Sequence, residues 1–355
     1  MRLSTLSLTL AALAGSSFAG NAADGAYKEF KSWQVSCSQT LSCTMRQFTS
    51  DNPISGLELQ RSGLPDAPVA LLISPSETAL LEGEGEGEIA IAISIDGGAP
   101  VSFQNGDITV DANAAALSLS GDVIGNGLID SLKNGTTAKI TISRGQMTAE
   151  GEIPLAGAAA SLLFIDEFQK RVGHVDAMSA KGDKAPNPPP PVSDIRRFSD
   201  FPETVRARFA DGGECAETEE TMLEGNALAH KLAEEQTLYM TPCGMGGAYN
   251  FPYAVFVDVY GTVSTLPFPT MQEGAPSATT SAFNLSYDYE AKTFSAFFKG
   301  RGVGDCGTFN EWKLAEGAIG PQLVLVEEAF RDCPSEIDEN ETIDIANWPK
   351  TWPLR

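Results

Sequence analysis

Short stretches of strict alternation run through the first half of the chain. Trp33-Gln34-Val35-Ser36-Cys37 alternates apolar and polar positions, and Ile89–Ile95, Ile108-Thr109-Val110 and Lys139-Ile140-Thr141-Ile142 repeat the pattern. A period of two puts alternate side chains on one face of a pleated strand. Turn-forming groups separate the runs: Asp96-Gly97-Gly98, Asn105-Gly106-Asp107, Asn134-Gly135 and Arg144-Gly145. Strands this short, punctuated this way, predict an antiparallel β-sandwich, interrupted by helices over 126–133 and 158–169.

The pattern stops at APNPPPPV, residues 185–192, which hold five prolines and nothing that builds a core. Such a run adopts an extended polyproline conformation and acts as a semi-rigid spacer. A chain of 355 residues also exceeds the ~250–300 at which a single core stops growing. We therefore expect a β-sandwich domain over 20–184, a linker over 185–192 and a second domain over 193–355. In the second, Ile195, Phe198, Val205 and Phe209 around Pro202 predict a helix broken or started at the proline. Strands follow over 237–243, 253–260, 283–288, 293–299 and 322–326, with residues 287–292 as a hairpin connection. The expected class is mainly β, a sandwich joined to an antiparallel β-rich α+β domain.

The ends and the charge narrow the setting. Residues 1–19, MRLSTLSLTLAALAGSSFA, carry one cation at Arg2, a short apolar run and Ser17-Phe18-Ala19, the form of a cleaved secretory signal. The run is shorter than the ~20 residues of a membrane-spanning helix, and no later stretch is long and apolar enough to span. The expected location is periplasmic or secreted. With 47 acidic and 24 basic residues the chain has a net charge of −23, which disfavours nucleic acid and anionic lipid as partners. An envelope protein or polymer is the expected partner class.

Six cysteines, Cys37, Cys43, Cys215, Cys243, Cys306 and Cys333, read as three disulfides in an exported chain. Pairing of neighbours in sequence is expected, because it keeps each bridge within one folding unit. There is no C-x-x-C, and the two histidines, His174 and His230, lie far from the cysteines in sequence. Zinc and thiol redox chemistry lose support, and no cofactor is expected. The acidic repeat over 82–88 alternates glutamate with glycine, so its carboxylates do not converge as a calcium site requires; it reads as a surface loop.

The most chemistry-like stretch is KGRGVGDCG, residues 299–307. A phosphate-binding loop needs G-x-x-x-x-G-K-[ST] before a helix, and a dinucleotide loop needs G-x-G-x-x-G inside a βαβ unit. Here the spacing differs and Thr308-Phe309-Asn310-Glu311-Trp312 alternates like a strand. Asp305 opposes the activation of Cys306 that Arg301 offers. A glycine corner tied by Cys306 to Cys333 remains. Pro242-Cys243-Gly244-Met245-Gly246-Gly247-Ala248-Tyr249-Asn250 is a second glycine-rich loop anchored by cysteine. If the two loops meet, Tyr249, Asn250, Arg301 and Asp305 form a candidate binding patch. No G-x-S-x-G accompanies either histidine. The tail over 347–353 holds two of the four tryptophans and is expected to strap onto the body.

Several stretches carry a resemblance: Phe30-Lys31-Ser32-Trp33-Gln34-Val35-Ser36-Cys37, Ile165-Asp166-Glu167-Phe168-Gln169-Lys170-Arg171-Val172-Gly173, Pro242-Cys243 with Gly247-Ala248-Tyr249-Asn250, Tyr287-Asp288, the 299–307 loop and the closing Trp-Pro. Together they resemble an uncharacterised family of exported proteobacterial proteins over nearly the whole chain. The amino-terminal half, with tryptophan four residues before a cysteine, also resembles the invasion-associated locus B family of β-sandwich proteins. Neither resemblance implies catalytic residues. The expected function is a non-catalytic envelope binding module. The alternatives are a hydrolase using paired carboxylates, or an inhibitor of a periplasmic enzyme.

Overall fold

Alternation becomes a pair of sheets in the first half. A computed structural model describes residues 25–353 apart from 66, 83–86, 112–113, 122–123, 319 and 336–342. The expected signal segment and most of the acidic repeat lie outside the described residues. The strands are β1 (Ala26–Phe30), β2 (Trp33–Cys37), β3 (Cys43–Phe48), β4 (Ile54–Arg61), β5 (Val69–Pro75), β6 (Ile89–Ile95), β7 (Val101–Gln104), β8 (Ile108–Asp111), β9 (Ala116–Leu119), β10 (Thr137–Arg144) and β11 (Met147–Pro154). One sheet runs β1-β2-β3-β4-β5-β9-β8 and the other β11-β10-β6-β7. Every second residue points inward: Trp33 and Val35, Ile91 and Ile93, Ile140 and Ile142 all enter one core. Full burial of each such side chain stabilises the fold by roughly 1.5–3 kcal/mol.

Three helices complete this half: α1 (Ala79–Glu82), α2 (Ile129–Asn134), which follows a π-turn over Ile124–Leu128, and α3 (Ala158–Phe168). Helix α3 buries Leu162 and Ile165 against the sheet. It ends where Lys170 takes a left-handed φ of 57°, the usual conformation just past a helix terminus.

After the proline run the chain forms β12 (Val192–Ile195), α4 (Glu203–Arg206), β13 (Ala227–Ala233), β14 (Gln236–Pro242), β15 (Pro252–Val259), β16 (Thr262–Thr265), β17 (Phe268–Gln272) and β18 (Ala275–Thr279). Then come β19 (Ala282–Phe283), β20 (Ser286–Asp288), β21 (Thr293–Lys299), β22 (Gly307–Gly317), β23 (Gly320–Arg331) and β24 (Lys350–Trp352). One sheet runs β12-β13-β14-β15-β16 with β19 on β15, another β20-β21-β22-β23-β24, and β17 pairs with β18 alone. Two further apolar clusters lie here, one between these sheets and one beneath α4. The protein is mainly β, built of open antiparallel sheets.

The helix expected to break or start at Pro202 does start there, but is only four residues long. Ile195 ends β12, and short 3-10 turns at Phe198–Asp200 and Ala207–Phe209 flank the four-residue α4 that starts after Pro202. The apolar spacing that mimics a helix serves an aromatic cluster instead: the Phe209 ring lies 4.9 Å from Phe198 and 5.1 Å from Phe201. The strand expected over 283–288 is also split, because Asn284 takes a left-handed φ of 52°.

The disulfides join neighbours in the chain: Cys37–Cys43, Cys215–Cys243 and Cys306–Cys333. Cys37 and Cys43 are opposed on β2 and β3 and close the loop over 38–42. That loop touches the second half. Gln39 accepts from the Tyr287 N–H at 2.8 Å, and Thr40 and Ser42 donate to the Asp194 carboxylate. The tail straps down as expected: Trp348 is buried, with its ring 5.5 Å from Phe297, and β24 pairs with β23.

Candidate functional site

The two glycine-rich loops meet. In the first, Cys243 N–H donates to Pro252 and Gly247 N–H to Asn250, at 2.9 and 2.8 Å, so the loop closes on itself above the Cys215–Cys243 bridge. Gly246 lets the Phe251 ring lie against the backbone there: a Cβ would stand 2.4 Å from it. In the second, Gly300 N–H donates to Cys306 and Gly304 N–H to Arg301, both at 2.9 Å. Gly307 turns the chain into β22 with a φ of 136°, where a Cβ would stand 2.0 Å from the Phe298 carbonyl oxygen.

Asn250 fastens one loop to the other. Its amide donates to the Lys299 carbonyl and accepts from the Lys299 N–H, both at 2.9 Å, as a paired strand residue would. Asn284 bridges the same corner, donating to Tyr249 O, Asn250 Oδ1 and Phe297 O at 2.8–3.1 Å. The Tyr249 ring lies 3.5 Å from where a Cβ on Gly302 would be.

Arg301 and Asp305 satisfy each other. Arg301 Nε donates to Asp305 Oδ1 at 2.7 Å, Nη2 donates to Oδ2, and Nη1 reaches the Pro334 carbonyl at 3.1 Å. The guanidinium holds the Asp305 carboxyl below its usual range, and the carboxylate raises Arg301 in return. So of the four expected patch residues, Asn250, Arg301 and Asp305 build the corner and Tyr249 faces outward. The side chains exposed there are apolar, at Met245 (71%), Tyr249 (38%), Phe251 (46%) and Val303 (52%).

A second polar constellation lies at the end of α3 and is spread over Arg61, Asp166, Gln169, Arg171 and Asp176, all buried. Asp166 accepts from the successive N–H groups of Met178, Ser179 and Ala180 at 2.7–2.9 Å. Gln169 donates to the carbonyls of Leu41, Arg61 and Ser62. Arg171 bonds Asp176 at 2.7 Å and the Ser62 and Leu64 carbonyls. Arg61 faces Asp166 at 4.0 Å and Asp176 at 3.7 Å. Asp166, Gln169 and Arg171 come from the Ile165–Gly173 stretch, Asp176 follows it closely, and Arg61 is remote in sequence. Arg61 and Asp176 also line a cleft of about 600 Å³ whose walls include Val69, Ile129, Val175 and Met178. The two arginines of the knot balance its two aspartates in charge.

Neither histidine is placed for proton transfer to a nucleophile. His174 Nδ1 bonds the Ala185 carbonyl. His230 is buried on β13, 2.7 Å from the Tyr287 hydroxyl; burial, with Lys292 adding to it, lowers its pKa to about 4. Among the described residues, the carboxyls of Asp130, Glu150 and Asp305 are held below their usual range beside Lys133, Lys139 and Arg301. They do not supply the opposed acid and base that a glycoside hydrolase needs. No group of three or more metal-ligating side chains occurs among the described residues. No helix among them is long and apolar enough to cross a membrane.

Fold and site together define a disulfide-stapled protein of antiparallel sheets with a glycine-cornered apex. Its relatives agree with the near-full-length resemblance. The chain belongs to the DUF1176 family, described as proteins of unknown function, whose model matches residues 27–355. It is similar to the uncharacterised protein YpfG of Escherichia coli (strain K12), with 26% identity over 362 residues and 92% of each chain covered. No solved structure matches it. These matches lend nothing to the resemblance of the amino-terminal half to the invasion-associated locus B family.

Proposed function

We propose that this protein is an exported, non-catalytic binding module of the cell envelope. It engages its partner through the apex formed by residues 244–251 and 299–307. One observation carries this reading: the Asn250, Asn284, Arg301 and Asp305 side chains are engaged in fixing the shape of the apex, while Met245, Tyr249, Phe251 and Val303 are left exposed. Two of the three disulfides anchor these loops. A surface fixed before binding loses little conformational entropy when a partner arrives, and aromatic side chains carry much of the energy at such contacts. In this reading residues 20–184 and 193–355 are separate folding units and residues 1–19 direct export.

The test places a photo-crosslinking amino acid at position 249 in cells, with position 260, the exposed Tyr260, as control. A discrete cross-linked product from 249 and none from 260 is expected. Identical outcomes at the two positions would remove the apex as the binding site.

A further inference from the structure

The apolar apex has an acidic flank. Between residues 210 and 230 the sequence holds Asp211, Glu214, Glu217, Glu219, Glu220 and Glu224 and neither lysine nor arginine. The Cys215–Cys243 bridge fixes this segment beside the first loop, and Thr218 Oγ1 accepts from the Gly244 N–H at 2.9 Å. Glu217 and Glu219 flank Thr218, just as Met245 follows Gly244, and all three side chains are exposed.

Two acids of the segment are used internally: Glu214 pairs with Arg208 at 3.0 Å, and Glu220 accepts from Phe198 N–H. Glu217 and Glu219 form no ion pair among the described residues. On the other side of the apex the Arg301 charge is neutralised by Asp305, and Lys299 lies along Gly304. An apolar centre is therefore bordered on its Cys243 side by uncompensated negative charge, on a chain of net charge −23.

Resting on the apex as a binding surface, we propose that its partner is a basic protein segment with an apolar face. Such a segment would place Leu-like side chains on Met245, Tyr249 and Phe251 and lysine or arginine against Glu217 and Glu219. Complementary charge at a rim acts mainly on encounter and partner choice, while the apolar centre supplies the holding energy. The two contributions are separable by salt and by substitution.

The test measures binding of a fluorescent synthetic peptide of lysine and leucine at amphipathic helical spacing. Glutamate–leucine and lysine–serine peptides of equal length are the controls. The full oxidised protein is compared with Met245→Ser/Phe251→Ser and Glu217→Gln/Glu219→Gln, each checked for an unchanged circular dichroism spectrum and melting transition. Binding is expected for the lysine–leucine peptide only. Loss of the apolar pair is expected to weaken it about tenfold or more. Loss of the acidic pair is expected to weaken it several-fold at low salt, with the difference shrinking as salt screens the charges. If the apolar pair matters and the acidic pair does not, the basic-partner inference falls and the apex survives. If the glutamate–leucine peptide binds equally and the apolar pair still matters, the basic-partner inference alone falls; if neither pair matters, both fall.

Discussion

Glu328 ties four parts of the second half together. It is 2% exposed on β23. It accepts from Thr270 Oγ1 and the Met271 N–H of the β17–β18 hairpin, from Asn310 Nδ2 of β22, and from Thr351 Oγ1 of β24. A hydrogen bond to a charged group contributes ~1.5–3 kcal/mol, but bonds sharing one carboxylate are not additive. Glu328→Ala leaves four donors without their acceptor and opens a cavity, so a loss of about 3–5 kcal/mol is expected, as for breaking other buried charged networks. Glu328→Gln keeps the volume and part of the bonding, and should lose about 1–2 kcal/mol. The assay is urea unfolding of the oxidised protein followed by tryptophan fluorescence, since Trp312, Trp348 and Trp352 all lie in this half. The midpoint should fall with little change in slope, and protease should cut the strap over 344–353 earlier in the alanine variant. A loss below about 0.5 kcal/mol, within the range of ordinary surface substitutions, would refute the view that this carboxylate holds the hairpin and strap.

Two further outcomes follow from buried polar groups. His230 is neutral in the native protein down to about pH 4, whereas in the unfolded chain it gains its proton near 6.5. The unfolded state therefore binds more protons between these values, so its contribution is intact above pH 6.5 and is lost as pH falls toward 4, by about 2–3 kcal/mol. His230→Gln should flatten the stability difference between pH 7 and pH 4.5 by that order; parallel curves would contradict it. Asp166→Asn should destabilise the first half by roughly 2–3 kcal/mol, because an amide cannot accept from three N–H groups in the same way. Trp33 fluorescence reports this transition, and an unchanged midpoint would show that the 178–180 turn does not depend on the carboxylate.

The strands with clean alternation were legible because one face of each is core and the other is not, as at β2, β6 and β10. Strands β17 and β18 were not. Each carries a proline, Pro269 and Pro276, and β17 is mostly half-buried while β18 is mostly exposed, so neither shows the period-two signal. Around Pro202 the helix start was legible from the proline, but its shortness was not, because three- and four-residue apolar spacing serves consecutive 3-10 turns as well as a helix. At the site, the glycine corners and their cysteines were visible in the sequence. That Asn250 would mimic a strand residue against Lys299, and that Arg301 would be spent on Asp305, depends on contacts 49 and 4 residues apart that only the fold creates. The polar knot was hidden for the same reason: Arg61 and Asp166 meet across 105 positions of chain, though Asp166 and Arg171 in the Ile165–Gly173 stretch were its trace.

The most direct measurement of the central claim is hydrogen exchange at the amides of Gly247, Lys299, Gly300 and Gly304. Slow exchange is expected at all four in the oxidised protein, and faster exchange at Lys299 in Asn250→Ala, where the N–H loses its acceptor. Exchange as fast as in an open loop at these positions, unaffected by Asn250→Ala, would contradict a preformed apex.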